Sequence, residues 1–269
     1  MSQDITEKNY RKLVLQVAPE GFSHCVVDTS GSKVLLVGET VFEQSGRTKA
    51  EDRYWDAFVR NTVLTRPYDE VQVLHDSDLN TFVPAALFDA DYLGSYLQYN
   101  TKVFETDYFE FDELTKYEMN NVYIPWVNIN NFLIDQFGPF TYRNANTVLV
   151  DKLMDLSRNS DERRMYAHFS AKRFEIIVVH NQKLLLFNSF EHRAKEDFIY
   201  YVLFTAEQLN LNPEHFTLRL LGDISRESEY FQIAYKYVRD VELADVSPLS
   251  ARNGLSENQN RKHFILVQG

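Results

Sequence analysis

The chain has 269 residues, of which 44% are hydrophobic and 25% are charged, and its formal net charge at pH 7 is −11. This length and composition are enough to bury the core of one large domain or of two modest ones. The negative charge disfavours nucleic acid and anionic membrane surfaces as partners, because both repel an acidic protein and no basic patch offsets the charge.

The single cysteine, Cys25, excludes an intramolecular disulfide and a cysteine-based metal cage. It lies in an apolar stretch and is expected to be a small buried side chain rather than a reactive thiol. The first ten residues are polar and unlike a signal peptide, and the longest apolar run, residues 198–204, is too short to cross a bilayer. We therefore expect a cytoplasmic protein.

The first half is predicted to contain three strands, a helix, a strand and a second helix. The strands are expected at residues 13–17, 23–28 and 33–42, separated by turns at Pro19-Glu20-Gly21 and at residues 29–32. A helix follows at residues 49–64, with Thr48 as its cap and with a buried stripe made of Tyr54, Trp55, Phe58, Val59 and Thr62. The remaining elements are a strand at 70–74, a short strand at 81–83, and a helix that Pro84 opens and residues 89–99 continue.

The middle of the chain, residues 101–150, has a weaker pattern. It predicts a strand at 121–126, a helix at 129–136 and a break at Gly138-Pro139. Residues 147–156 fit a helix, or a strand that turns into a helix, and pattern alone leaves both open.

The second half has the clearest signals. Strands are predicted at residues 165–171, 174–180 and 183–190, joined by tight turns at Lys172-Arg173 and Asn181-Gln182. The elements predicted after them are a helix at 194–209, a strand at 216–221, a helix at 225–238, a strand at 241–246, a polar loop at 247–261 and a last strand at 263–267.

The order strand, strand, strand, helix, strand, helix therefore occurs twice. It predicts an α/β protein with two similar halves, residues 1–150 with an inserted segment at 101–150, and residues 151–269.

Two such units resemble the actin-like ATPase (ribonuclease H-like) fold, which actin, the sugar kinases and the seventy-kilodalton heat-shock chaperones share. The chain looks most like a family of unknown function with this fold from Bacteroidota. The residues that carry the resemblance are Leu15-Gln16-Val17 with 21–25, Thr81-Phe82-Val83-Pro84 with Leu87-Phe88, and 121–126. The resemblance implies two halves that face each other across a cleft.

In the actin-like ATPases, the first hairpin of each half carries an aspartate that manages magnesium and water, and a glycine that lets backbone N–H groups approach the phosphates. The matching positions of this chain are Gln16 and Ala18 in the first half, His168 and Ser170 in the second, and Gly222 and Asp223 at the adenosine-binding turn. Both aspartates are replaced, and only one of the paired glycines of that turn is kept.

The resemblance thus implies a degenerate member of the fold, for which we expect no catalytic residue, no cofactor and no bound metal. The alternative is a divergent nucleotide-binding ATPase or kinase, with carboxylates from Asp28, Asp76 or Asp223. In one version of it, residues 26–33 form the phosphate hairpin, although an ordinary turn explains them as well.

Two further sets of residues are candidates for a partner-binding surface and for a metal site. The acidic aromatic run at 104–113 contains Tyr108, Phe109 and Phe111, which we predict to contact a cytoplasmic partner protein or a second copy of the chain. A half-buried strand with a solvated acidic face is the alternative, and serine at Phe109 and Phe111 should weaken binding without unfolding the protein. His168 and His180 could pair around a metal, although satisfied histidines are the simpler interpretation.

Overall fold

The structure is a computed structural model that describes residues 8–43, 49–191 and 193–269. The predicted cap Thr48 and the loop before it lie outside the described residues. The chain forms two compact units, one made of Met1–Val148, Arg252–Gly254 and Ile265–Gly269, the other of Leu149–Ala251 and Leu255–Phe264. Within the described ranges, no helix is both long enough and apolar enough to span a bilayer.

The elements alternate much as the sequence predicts. In the first part of the chain they are β1 (Arg11–Ala18), β2 (Gly21–Asp28), β3 (Lys33–Val41), α1 (Ala50–Arg60), β4 (Glu70–His75), β5 (Asn80–Pro84), α2 (Leu93–Leu97), β6 (Glu110–Leu114), β7 (Met119–Tyr123), α3 (Val127–Phe137), β8 (Thr141–Asn144) and α4 (Ala145–Leu156). In the second part they are β9 (Arg164–Phe169), β10 (Arg173–His180), β11 (Lys183–Glu191), α5 (Lys195–Gln208), β12 (Thr217–Gly222), α6 (Glu229–Tyr237), β13 (Asp240–Leu243), α7 (Ser247–Asn253) and α8 (Glu257–Lys262).

Each unit is built on a five-stranded sheet, and the two sheets have the same order. The first runs β3-β2-β1-β4-β8 and the second runs β11-β10-β9-β12-β13. In both, the first three strands pair antiparallel and the next two join in parallel. The predicted repeat and α/β fold class are confirmed.

The core of the first unit follows from the alternation of β1. Leu13, Leu15 and Val17 point to one face, where they pack with Tyr54 and Phe58 of α1. Tyr54 and Phe58 are four residues apart, so one narrow stripe of the helix is buried. The neighbouring Trp55 and Val59 are exposed, and Thr62 is exposed beyond the end of α1. The wider stripe predicted from the sequence is therefore wrong at these three positions.

The core of the second unit is rich in aromatic rings. Phe169, Phe174 and Phe198 lie within 6 Å of one another, centroid to centroid, and Phe231 of α6 belongs to the same buried cluster. Such ring contacts add to the stabilisation that burial alone provides.

A small antiparallel sheet, in the order β5-β7-β6, interrupts the first unit between β4 and β8. We call residues Asn80–Tyr123 the insert. Its cluster joins Val83, Leu97 and Val122. The helix predicted from Pro84 to residue 99 is reduced to α2, preceded by 3-10 turns at Ala85–Leu87 and Ala90–Tyr92.

The structure corrects three expectations near residue 150 and at the C-terminus. Residues 147–156 are helical, and the short β8 before them was missed. The predicted loop at 247–261 contains α7 and α8. The predicted last strand at 263–267 is instead the approach to a 3-10 turn, Leu266–Gln268, which contacts β1 and β2.

Candidate functional site

The nucleotide positions predicted from the sequence are equivalent by strand register. Gln16 of β1 lies opposite Ser23 of β2, just as His168 of β9 lies opposite Glu175 of β10. Their strands also pair in parallel with β4 and β12 in the same way. Gln16 and His168 therefore occupy the same place, each in its own sheet.

The hairpin of the first unit is a closed two-residue turn. Ala18 pairs with Gly21, and Pro19 in the turn has no N–H to offer a ligand. The Tyr54 hydroxyl donates to the carbonyls at this turn, 2.8 Å from Ala18 O and 3.1 Å from Gly21 O. Burial raises the pKa of Tyr54, so this hydroxyl stays protonated as a donor. Helix α1 thus holds the turn in place.

Two aspartates follow equivalent strands and make equivalent hydrogen bonds. The Asp76 N–H donates to Val17 O at 2.9 Å, and the Asp223 N–H donates to Phe169 O at 2.9 Å. The side-chain amide of Gln16 donates a hydrogen bond to the first of them, with Nε2 3.0 Å from Asp76 Oδ2. Sequence reasoning named both aspartates but did not foresee that Gln16 bonds to one of them.

In the second unit, His168 is tied to a buried carboxylate that the sequence analysis missed. His168 Nδ1 lies 2.8 Å from Glu175 Oε2, and Arg173 Nε donates to Glu175 Oε1 at 2.6 Å. Glu175 is 1% exposed. Burial alone would raise the pKa of Glu175, but Arg173 and His168 lower it to about 2, so the carboxylate is ionised. A lone acid in an otherwise apolar strand was the available signal.

The other predicted positions of the second unit lie at the same strand ends. Ser170 directs both its N–H and its hydroxyl to Arg173 O, at 3.0 and 3.1 Å, and so closes its own turn. Gly222 has φ +89°, and a Cβ there would lie 2.1 Å from Phe169 O, so only glycine fits. The Asp223 carboxylate is largely exposed and lies 3.5 Å from Lys262 Nζ.

Neither of the metal hypotheses gains support from the geometry. His168 faces Glu175, whereas His180 ends β10 and lies 3.1 Å from Asp161 O, so the two histidines do not face each other. Across the residues that the structure describes, no three His, Cys, Asp or Glu side chains cluster as a metal site would require. The Asp28 carboxylate accepts from Ser30 N and Ser30 Oγ, which makes residues 28–33 an ordinary turn between β2 and β3.

The predicted partner residues divide between the interior and the surface of the insert. Phe109 and Phe111 pack on the insert cluster, and Phe111 contacts Phe88 at 4.8 Å between ring centroids. Serine at either position would therefore remove packing as well as surface, which undermines the substitution test suggested by the sequence. Tyr108 is 55% exposed.

Tyr108 and Phe109 line an open groove of about 750 Å³ in the insert. Its wall is formed by Ala90–Ser95, Gln98, residues 101–105 and residues 107–109. Two of its exposed aromatic residues, Tyr92 and Phe104, lie beyond the three that the sequence singled out. Phe104 belonged to the acidic aromatic run, and Tyr92 gave no sequence signal.

The comparisons with known proteins agree with this architecture. A family model described as "Protein of unknown function (DUF3822)" matches residues 2–241. A crystal structure from Bacteroides thetaiotaomicron, described as a protein with actin-like ATPase fold and unknown function, is 22% identical, with a TM-score of 0.83 and full coverage of both chains. No curated protein matches the chain.

Two more distant structures share the fold. The PilM-PilN type IV pilus biogenesis complex contains a chain that is 11% identical with a TM-score of 0.58, covering 95% of this chain and 96% of that one. The cytoplasmic domain of EpsL, an inner membrane component of the type II secretion system of Vibrio cholerae, is 12% identical with a TM-score of 0.52, covering 96% and 93%. The actin-like ATPase fold expected from the sequence is confirmed.

Proposed function

We propose that this chain, which belongs to the family described as Protein of unknown function (DUF3822), is a non-catalytic actin-like protein that acts by binding. Its partner is another protein or a second copy of the chain. The proposal depends on the two equivalent positions where the actin-like ATPases carry their aspartates.

One observation carries the proposal: both positions hold side chains that are bonded within their own unit. Gln16 donates to Asp76, and His168 contacts the ionised Glu175. Phosphoryl transfer depends on carboxylates and metal ions that neutralise phosphate charge and orient the attacking group. A neutral amide and an imidazole that already contacts a carboxylate do not supply that chemistry.

The carboxylate nearest to the second position is also badly placed for metal binding. Glu175 is buried between Arg173 and His168, and Ser189 Oγ lies 3.4 Å from its Oε1. A magnesium ion would have to displace these groups, and breaking a buried ion pair is strongly unfavourable. The two hairpins add no open phosphate cradle, because Pro19 lacks an N–H and the N–H of Ser170 is already used.

Two of the structural neighbours are described as parts of assemblies, a pilus biogenesis complex and a secretion system. Their likeness concerns the fold alone, but it supports the idea that this fold can serve in binding rather than in catalysis.

A divergent nucleotide-binding enzyme stays as the second candidate because of one feature. Asp76 and Asp223 follow equivalent parallel strands and repeat the same backbone hydrogen bond. Each of them places a carboxylate at the end of a strand in its own unit, and carboxylate oxygens are ligands that magnesium prefers.

Thermal unfolding with millimolar ATP or ADP and magnesium, followed by calorimetric titration, separates the two candidates. We expect no change in melting temperature and no heat beyond that of magnesium alone. Nucleotide at a hundredfold excess over its dissociation constant would instead stabilise the fold by about 2.7 kcal/mol. A shift that disappears in Asp76→Asn or Asp223→Asn, together with release of phosphate from ATP, would establish the enzyme-like alternative and overturn the non-catalytic proposal.

A further inference from the structure

We propose that the insert groove, the surface formed by Ala90–Ser95, Gln98 and residues 101–109, binds a polypeptide segment in which lysine or arginine alternates with hydrophobic residues. This inference rests on the proposed binding function and specifies the chemistry of the partner.

The groove is acidic at its rim. The side chains of Asp91, Glu105 and Asp107 line it, with Lys102 as the one basic residue among the lining residues. A chain with a net charge of −11 would repel an acidic segment and attract a basic one over about 8 Å at physiological salt.

The groove also presents two aromatic rings that are more than half exposed. Tyr92 is 61% exposed and Phe104 is 52% exposed, although each lies in an ordered backbone turn. Phe104 N donates to Asp107 Oδ2 at 2.8 Å, and Asp89 Oδ1 accepts from Asp91 N at the start of the turn that contains Tyr92. Rings held in place by their backbone lose little freedom on binding, which favours them as contact residues.

The floor of the groove is firm. A Cβ on Gly94 would lie 3.2 Å from the Phe109 ring, so the glycine lets that ring lie against α2. Phe109 in turn packs on the insert cluster of Val83, Leu97 and Val122. The groove is therefore a formed surface that a partner can occupy without first reorganising the insert.

A contact inside the groove already shows the chemistry. The ammonium of Lys102 lies 4.9 Å from the centroid of the Phe104 ring, within the range of a cation–π interaction. A cation at this place is attracted both by the negative charge of the carboxylates and by the quadrupole of the aromatic ring. A lysine or arginine of the partner would take the place of Lys102, with its hydrophobic neighbours on the exposed rings.

The test uses the full chain and a fluorescein-labelled eight-residue peptide of alternating lysine and leucine, with a glutamate–leucine peptide of the same length as the probe of opposite charge. Binding is followed by fluorescence anisotropy at two salt concentrations. The double variant Tyr92→Ser/Phe104→Ser removes the rings, and Glu105→Lys reverses one charge of the groove.

Matched controls come from the second unit. Tyr200→Ser/Phe204→Ser removes the same two residue types from the exposed face of α5, where they stack on each other. Glu207→Lys makes the same charge change at an exposed residue of that helix. The controls separate binding at the groove from general attraction to an acidic protein.

We expect the lysine–leucine peptide to bind the wild-type chain and both controls alike, and to bind each groove variant about tenfold more weakly. Lys102→Gln, which frees the Phe104 ring and removes a positive charge, should bind more tightly than Lys236→Gln on α6. Equal binding by groove and control variants, or binding of the acidic peptide, would overturn the groove proposal.

These outcomes are independent of the nucleotide experiment. If neither the peptide binds at the groove nor ATP binds to the chain, the groove proposal is wrong and the non-catalytic function stands. If ATP binds and is hydrolysed, the proposed function fails whatever the peptide does.

Discussion

The carboxylate of Glu175 is held by the Arg173 guanidinium and the His168 ring in a site that water does not reach. Arg173 Nε is 2.6 Å away and His168 Nδ1 is 2.8 Å away. Such a group is costly to bury alone, but it becomes stable when its partners satisfy it, and their loss then has a large effect. His168 is one of the positions that the resemblance to the actin-like ATPases predicts to face a nucleotide.

Glu175→Gln should therefore lower the free energy of unfolding by about 3–5 kcal/mol at pH 7. The amide removes the negative charge that the half-buried Arg173 guanidinium faces at 2.6 Å. Because the pKa of Glu175 is lowered from 4.5 to about 2, its stabilisation is full above pH 4.5 and is lost as the pH falls toward 2.

Urea unfolding of the variant measures this, with Glu191→Gln as the control. Glu191 pairs with Arg193 at an exposed position, so its loss should change the free energy by less than about 1 kcal/mol. Equal stabilities of the two variants would show that the buried pair contributes nothing.

His75 gives the first unit a different dependence on pH. The Trp126 N–H donates to Nδ1 at 3.1 Å, so the ring proton sits on Nε2, which donates to Asn130 Oδ1 at 3.0 Å. A neutral ring satisfies both bonds, and protonation would break the first. Burial lowers the pKa of His75 from 6.5 to about 4.

The unfolded chain thus takes up this proton at a higher pH than the folded chain does. We expect the free energy of unfolding to fall by roughly 3 kcal/mol between pH 7 and pH 4 on account of His75. His75→Gln should be less stable at pH 7 but should show a flatter profile over this window, with His24, whose pKa burial also lowers, accounting for part of the remaining slope. An unchanged slope in His75→Gln would contradict the assignment.

At the scale of elements, the insert is fastened to the start of α4 by a buried polar network. Asp112 of β6 accepts from Asn144 N at 2.8 Å, from the Thr147 hydroxyl at 2.5 Å and from the Tyr123 hydroxyl at 3.3 Å. Asn146 extends the network by donating to Asn80 Oδ1 of β5 at 2.9 Å. Burial raises the pKa of Asp112, and the bonds from Thr147 and Asn144 oppose that rise.

Asp112→Ala should destabilise the protein by about 3 kcal/mol or more, because it leaves up to three buried donors without an acceptor. Faster amide hydrogen exchange in β6, β7 and the first turn of α4 should accompany the loss. Glu113→Ala on the same strand is the control, since Glu113 is exposed. Wild-type exchange in Asp112→Ala would show that the network does not hold these elements together.

The elements also show where the sequence suffices and where it does not. The hairpins of β9–β11 follow from alternating apolar residues and tight turns, which are local signals. Helix α8 had a local signal that was overlooked, since Ser256 and Gln259 form a capping box. The prediction of a strand at 263–267 was wrong for another reason. A short apolar run such as residues 264–267 is compatible with a buried strand, helix or turn, and tertiary packing decides which of these forms.

At the scale of the molecule, the repeated order of strands and helices made the fold predictable. The strand register agrees with that repeat, since Gln16 and His168 lie at equivalent points of the two sheets. The same repeat located the candidate site. Individual side-chain contacts were not predictable. Gln16 donates to Asp76, which is 60 residues away in sequence, and Tyr92 lines the insert groove from a different turn than Phe104 does. Pairings between distant segments leave no periodic trace in one sequence.

The C-terminal turn, Leu266–Gln268, packs against β1 and β2 at the other end of the sequence. Alkylation of Cys25 can report on this contact. Leu266 is fully buried against β1 and β2, and the Cys25 thiol donates to Leu266 O at 3.6 Å. Burial raises the pKa of Cys25 to about 12. Cys25 is buried, as the sequence predicts, and the C-terminal turn lies directly against its thiol.

Leu266→Ala should destabilise the first unit by about 2–5 kcal/mol and accelerate alkylation of Cys25 by N-ethylmaleimide. When opening is fast relative to labelling, the rate follows the open population, so about 2.7 kcal/mol corresponds to about a hundredfold increase. Gln268→Ala, in the same turn but only half-buried, should label at close to the wild-type rate, and the urea-unfolded chain sets the upper limit. If Leu266→Ala melts earlier but labels no faster, the C-terminal turn stabilises the first unit without being what shields Cys25.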